Sequence, residues 1–147
     1  MERKTLSRAG IGVIAVSAVL AVGTLASPAL AAGHVPVLKV TPSTKLVNKQ
    51  KVQLTGTGFP PNTNVYAIEC LAVATSPSGC DVAHRVAFKT TSAGIFPKKF
   101  FFTVRTGKIG TGKSSGTCGS PTTTKKCSIA IGAGNRSYAG APITFRG

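Results

Sequence analysis

Residues 51–62 read KVQLTGTGFPPN. Val52 and Leu54 alternate with Lys51, Gln53 and Thr55, the two-residue period of a half-buried strand. The run then breaks into Gly56-Thr57-Gly58-Phe59-Pro60-Pro61-Asn62, a concentration of turn formers that stops it. A short alternating strand closed by Gly, Pro and Asn is the building unit of an all-β fold. The same unit recurs on both sides.

Upstream, Val37-Leu38-Lys39-Val40 is ended by Thr41-Pro42-Ser43. Downstream, residues 65–73 make a third strand carrying Cys70, and Arg85-Val86-Ala87-Phe88-Lys89 a fourth. In residues 99–105, KFFFTVR, Phe100, Phe102 and Val104 share one face of a fifth. Cys127, Ile129 and Ile131 share a face in a sixth, and Ile143 and Phe145 in a seventh. No window sustains a helical period, and Gly, Pro, Ser and Thr fill the connections. Short strands with regularly spaced turns predict a single seven-stranded immunoglobulin-like β-sandwich.

The first 31 residues follow different rules. Arg3, Lys4 and Arg8 precede an apolar stretch over residues 9–25, and Ser27-Pro28-Ala29-Leu30-Ala31 follows. A basic start, an apolar middle and a small-x-small end describe a secretory signal peptide. The apolar stretch falls short of the roughly 20 residues that a membrane helix needs. The expected division is therefore a signal peptide at 1–31 and one domain at 32–147, with Ala32 as the competing cleavage site. An extracellular protein with no membrane span after cleavage, and a monomer, is expected.

Losing Arg3, Lys4, Arg8 and Glu2 would take the net charge from +15 to +13, leaving Glu69 and Asp81 as the remaining acidic side chains. So large a surplus predicts attraction to polyanions such as DNA or cell-surface polymers. Lys98, Lys99, Arg105, Lys108, Lys113, Lys125 and Lys126, around the fifth and sixth strands, are the candidate contacts. If they share one side, affinity should fall steeply with salt.

The chain has four cysteines, Cys70, Cys80, Cys118 and Cys127. In an oxidising compartment an even count argues for two disulfides. Three connectivities exist, of which the local one, Cys70–Cys80 with Cys118–Cys127, is the simplest. Each such bridge closes a loop of about ten residues and would contribute about 2–3 kcal/mol. No C-x2-4-C spacing is present, and His34 and His84 are far from these cysteines, which argues against zinc.

Residues 107–114, GKIGTGKS, match the phosphate-binding loop pattern G-x-x-x-x-G-K-[ST]. That loop works only between a strand and a helix N-terminus. Here Ser115-Gly116-Thr117-Cys118-Gly119-Ser120-Pro121 follows, which cannot start a helix. The segment reads instead as a flexible, cationic hairpin connection. His84 has no nucleophile tied to it by a motif, and is expected on a surface strand. Glu69 and Asp81 flank the first cysteine pair; a disulfide there could bring them together and raise one pKa, and otherwise they are isolated counter-ions for nearby Lys and Arg. No enzyme signature emerges, and neither a metal nor an enzymatic cofactor is expected.

The ordered set of motifs resembles the neocarzinostatin family. It comprises residues 40–46 (VTPSTKL), 52–59 (VQLTGTGF), and Asn64-Val65-Tyr66 leading to Cys70. Cys80 follows, and then residues 127–132 (CSIAIG), Gly134-Asn135 and Ile143-Thr144-Phe145. The similarity spans residues 37–145. It implies a seven-stranded immunoglobulin-like sandwich with the two local disulfides, and a secreted carrier rather than an enzyme. Such apoproteins hold a labile enediyne chromophore in a cleft, protect it, and release it to cleave DNA, which implies an antibiotic, antimicrobial and DNA-directed role. By resemblance the cleft involves the segments after Cys70 and Cys80 and the loop 107–116, making Ala72, Arg85, Gly107, Ile109 and Gly112 the candidate cleft residues.

The departures from that pattern are specific. Ala72 stands where the family offers Trp, and Arg85 where an aromatic is expected. The loop 107–116 contains Ile109 and no aromatic residue, where carrier loops tend to be bulkier, and the chain contains no Trp. Each lost stacking contact forfeits about 0.5–1.5 kcal/mol. The carriers are acidic and this chain is basic. Two expectations follow: a carrier of a small hydrophobic ligand on this fold, or a cationic polyanion-binding module that keeps the fold without the chromophore.

Overall fold

A computed structural model of the chain describes residues 34–72, 74, 76–119 and 127–146; the expected signal segment and Lys125 and Lys126 lie outside them. The described strands are β1 (Val37–Thr41), β2 (Lys51–Thr57), β3 (Asn64–Leu71), β4 (Val86–Lys89), β5 (Phe101–Thr103), β6 (Gly107–Ile109), β7 (Gly116–Cys118), β8 (Cys127–Ala133) and β9 (Arg136–Ile143). Seven of them form the sandwich: a three-stranded sheet in the order β1-β2-β5 and a four-stranded sheet in the order β4-β3-β8-β9. Both are antiparallel throughout. β6 and β7 pair separately as a two-stranded ribbon.

The alternation seen in residues 51–55 decides which side of β2 is inside. Val52 and Leu54 are wholly buried, while Lys51 and Thr55 are exposed. They join Val40 of β1 and Phe102 of β5 against Val65 and Ala67 of β3, Ile129 and Ile131 of β8, and Ile143 of β9. Each such side chain contributes about 1.5–3 kcal/mol by leaving water. Gly56 faces the same core, where a Cβ would lie 2.5 Å from the Phe96 ring and 2.8 Å from that of Phe59. Those two rings pack at 4.9 Å within the core cluster, so the glycine makes room for them. The turn that follows places Asn62 at a φ of 51°, a conformation its short polar side chain tolerates. The Asn62 N–H donates to the Thr91 carbonyl.

Two expectations are corrected. The last strand runs from Arg136 to Ile143 rather than over Ile143 and Phe145. Gly134, at a φ of 56°, lets the chain reverse directly out of β8, with Ala133 paired to Arg136. The strand so formed is rich in Ala and Gly and lacks alternating bulk, which hid it. Segment 107–118 is likewise not a flexible connection. It is the β6–β7 ribbon, with a single 3-10 turn at Gly112–Ser114 and with Ile109 and Cys118 buried. The Thr111 N–H donates to the Ser78 carbonyl at 2.7 Å and fastens its tip to the neighbouring loop. No helix follows GKIGTGKS, and the phosphate-loop geometry is not formed.

Candidate ligand-binding cleft

The outer face of the four-stranded sheet carries a cleft of about 250 Å3. Its floor follows from strand periodicity. Tyr66, Ile68 and Cys70 point outward from β3, because Val65, Ala67 and Leu71 point into the core. The β3–β8 register sets Ser128 opposite Cys70 and Ala130 opposite Ile68, and the β8–β9 register sets Gly140 opposite Ala130. Ser, Ala and Gly at these positions keep the floor low, and that is why a concavity exists there.

One wall is the loop between β3 and β4. Cys80 is bonded to Cys70, and this bridge fastens the loop to the floor. Ala72, Ala74, Ser76 and Pro77 line it. The opposite wall is the β8–β9 turn with Asn135 and the start of β9 with Arg136 and Ser137. Tyr66 ties floor to wall by donating its hydroxyl hydrogen to the Gly134 carbonyl at 2.8 Å. Gly132 permits this: a Cβ there would lie 2.6 Å from the Arg136 carbonyl oxygen and 3.0 Å from the Tyr66 hydroxyl. Arg85 places its guanidinium carbon 5.8 Å from the centre of the Tyr66 ring, a cation–π contact worth about 0.5–1 kcal/mol at an exposed site.

Of the five residues expected at the cleft, Ala72 lines it and Arg85 reaches it through Tyr66. Gly107, Ile109 and Gly112 belong to the ribbon, whose tip buttresses the disulfide loop from outside, and Ile109 is turned into the core. The basic set spans several elements. Lys98 and Lys99 precede β5, Arg105 follows it, Lys108 is on β6, and Lys113 is in the turn of the ribbon. The four lysines are exposed and Arg105 is half-buried. Tyr66, Ile68 and Ala130 were not anticipated as site residues. Their signal was the strand period counted back from Cys70, together with a β3–β8 register that no local pattern supplies.

Behind the floor lies Glu69, on the core face of β3 and only 2% exposed. It is not a surface counter-ion. Its Oε2 accepts the Arg105 N–H at 2.8 Å, and its Oε1 is buried with no hydrogen-bond partner. Burial pushes its pKa up to about 7, opposed by the Arg105 N–H, reinforced by the charge of Asp81 and opposed again by the Arg105 guanidinium. Glu69 comes within 4.8 Å of the sulfurs of Cys118 and Cys127. Those sulfurs are bonded to each other, so neither is a thiolate able to bind a metal. Asp81 pairs with His84 at 2.8 Å, and His84 sits in the 3-10 turn Val82–His84 rather than on a strand.

The neocarzinostatin family model matches residues 38–145. Among solved structures the chain is similar to macromomycin, at 25% identity and a TM-score of 0.57, over 75% of this chain and 98% of that one. It is also similar to apokedarcidin, at 26% identity over 76% of this chain and 98% of that one, with a TM-score of 0.49. None of the curated proteins matches it.

Proposed function

The chain belongs to the neocarzinostatin family, and from that premise we propose that it is a secreted carrier holding a small hydrophobic ligand on the outer face of its four-stranded sheet. Members of this family are non-enzymatic binding proteins. The observation that carries the reading is the floor of Tyr66, Ile68 and Ala130, walled by a disulfide-closed loop and a β-turn. An apolar concavity with a few polar groups at its edge is the usual form of a small-molecule site. A volume of about 250 Å3 suits one or two fused rings. Of the residues expected to stack on a chromophore, Ala72 offers no ring, and Tyr66 is the one aromatic in the lining. The ligand is therefore smaller than, or held differently from, a full enediyne chromophore. The family match supports, as part of this proposal, a role in antimicrobial defence or in delivering a DNA-directed compound.

Native mass spectrometry with near-ultraviolet absorbance, on protein recovered from its own culture medium, tests the carrier. A mass above that of the polypeptide, with absorbance beyond that of two Tyr and seven Phe, is expected. The bare apoprotein mass in every growth phase would exclude it.

A second reading rests on charge. At +15 overall, with Lys98, Lys99, Lys108 and Lys113 exposed, the protein is suited to weak binding of DNA or other polyanions without sequence preference. Titration of duplex DNA across salt concentrations tests it. A steep loss of affinity with salt supports the reading, and a flat response rejects it.

A further inference from the structure

The cleft has an electrostatic pattern that sets it apart from the rest of the basic surface. Arg136 stands on one wall, exposed, and its guanidinium makes no hydrogen bond or ion pair among the described residues. Arg85 lies against the Tyr66 ring and has no carboxylate partner among the described residues. No Asp or Glu lines the cleft. The two acidic side chains of the domain are committed elsewhere. Asp81 is held by His84 at 2.8 Å, and Glu69 is buried on the opposite face of β3. Two guanidinium groups thus border an apolar floor, and among the described residues no carboxylate pairs with either.

Building on the carrier reading above, we propose that this cleft selects an aromatic acid. Its ring system would lie over Ile68, Ala130 and Tyr66, and its carboxylate or sulfonate would be held by Arg136. Guanidinium matches this chemistry because its planar fork can donate two parallel hydrogen bonds to such a head group. Arg85 adds positive potential from behind the Tyr66 ring. The ring portion buries apolar area on a floor flattened by Ser128, Ala130 and Gly140. Arg136 is the specificity-determining residue, since it alone places a free guanidinium in the lining.

Fluorescence titration of the disulfide-bonded chain with two probes tests this. One is 1-anilinonaphthalene-8-sulfonate, and the other its uncharged parent N-phenyl-1-naphthylamine. The sulfonate is expected to bind about tenfold more tightly, and Arg136→Gln should remove most of that ratio while leaving the uncharged probe unaffected. Lys39→Gln, on the exposed side of the other sheet, should leave the ratio intact. Equal affinity for the two probes would overturn anion selection and leave the carrier standing. An equal loss in Lys39→Gln and Arg136→Gln would reduce the preference to bulk charge and overturn it as well. If neither probe binds, both the acid selectivity and the carrier fall.

Discussion

Along β3, Val65, Ala67, Glu69 and Leu71 are turned to the core, while Tyr66, Ile68 and Cys70 between them meet the cleft. The inner series is packed by Leu54, Ile129 and Ile131, all wholly buried, and leaves no room for change. The outer series meets Ser128, Ala130 and Gly140, small residues that leave space above themselves. One strand thus carries stability on one side and a binding surface on the other, a residue apart. Glu69 is the exception on the inner side. It brings a carboxylate into the packed series and satisfies only one of its two oxygens. Disturbing either face should leave a signature that disturbing the other does not.

The largest effect belongs to the inner face. Ile129→Ala removes a wholly buried side chain and should cost about 2–5 kcal/mol, read from the midpoint of urea unfolding. Its outward neighbour provides the contrast. Ala130→Leu should change stability by only about 0.5 kcal/mol, yet fill the floor and abolish binding of the naphthalene probes. If Ala130→Leu unfolds the protein as readily as Ile129→Ala, the two faces are not separable.

Glu69 gives the next effect. The folded carboxyl titrates near 7 and the unfolded one near 4.5, so the folded state holds its proton more tightly. Between those two values the native protein binds more protons than the unfolded chain, and stability falls as pH rises. The loss is complete above about pH 7 and reaches at most about 3 kcal/mol. Glu69→Gln keeps the shape without the charge. It should flatten this part of the stability profile and be more stable than the parent at pH 8. Urea midpoints at pH 4 and pH 8 decide the matter. An unchanged slope in the variant would show that another group carries it.

What was legible in the chain divides along the same line. Strands with alternating bulk, such as residues 51–55 and 99–105, showed both their existence and their inward face, because a period of two needs no partner to be seen. The ribbon and β9 were hidden, since Gly107, Gly116, Ala139 and Gly140 have too little side chain to alternate. Their pairing comes from backbone bonds and register instead. The cleft depended on register in the same way, as Ala130 faces Ile68 only once β3 and β8 are aligned. Glu69 was misread for a different reason. A carboxylate is expected outside by default, but its position two after Ala67 and two before Leu71 places it inside, and position prevailed over polarity.

The smallest effect would sharpen the outer face by restoring what it lacks. Ala72 lines the cleft and is exposed, so a larger side chain there meets solvent rather than core. Ala72→Trp should leave the urea midpoint unchanged, because nothing packed is displaced. A ring in that position can stack on a bound naphthalene, for which offset or edge contacts are worth about 0.5–1.5 kcal/mol. That is a gain of about two- to tenfold in affinity for either probe, charged or not. The uncharged probe is the more telling of the two, since Arg136 contributes nothing to its binding. Tighter binding of both probes by the same factor would show stacking at residue 72 and charge recognition at residue 136 acting independently across one floor. No gain with either probe would mean that the ring systems do not reach the disulfide wall and sit wholly between Tyr66 and the β8–β9 turn.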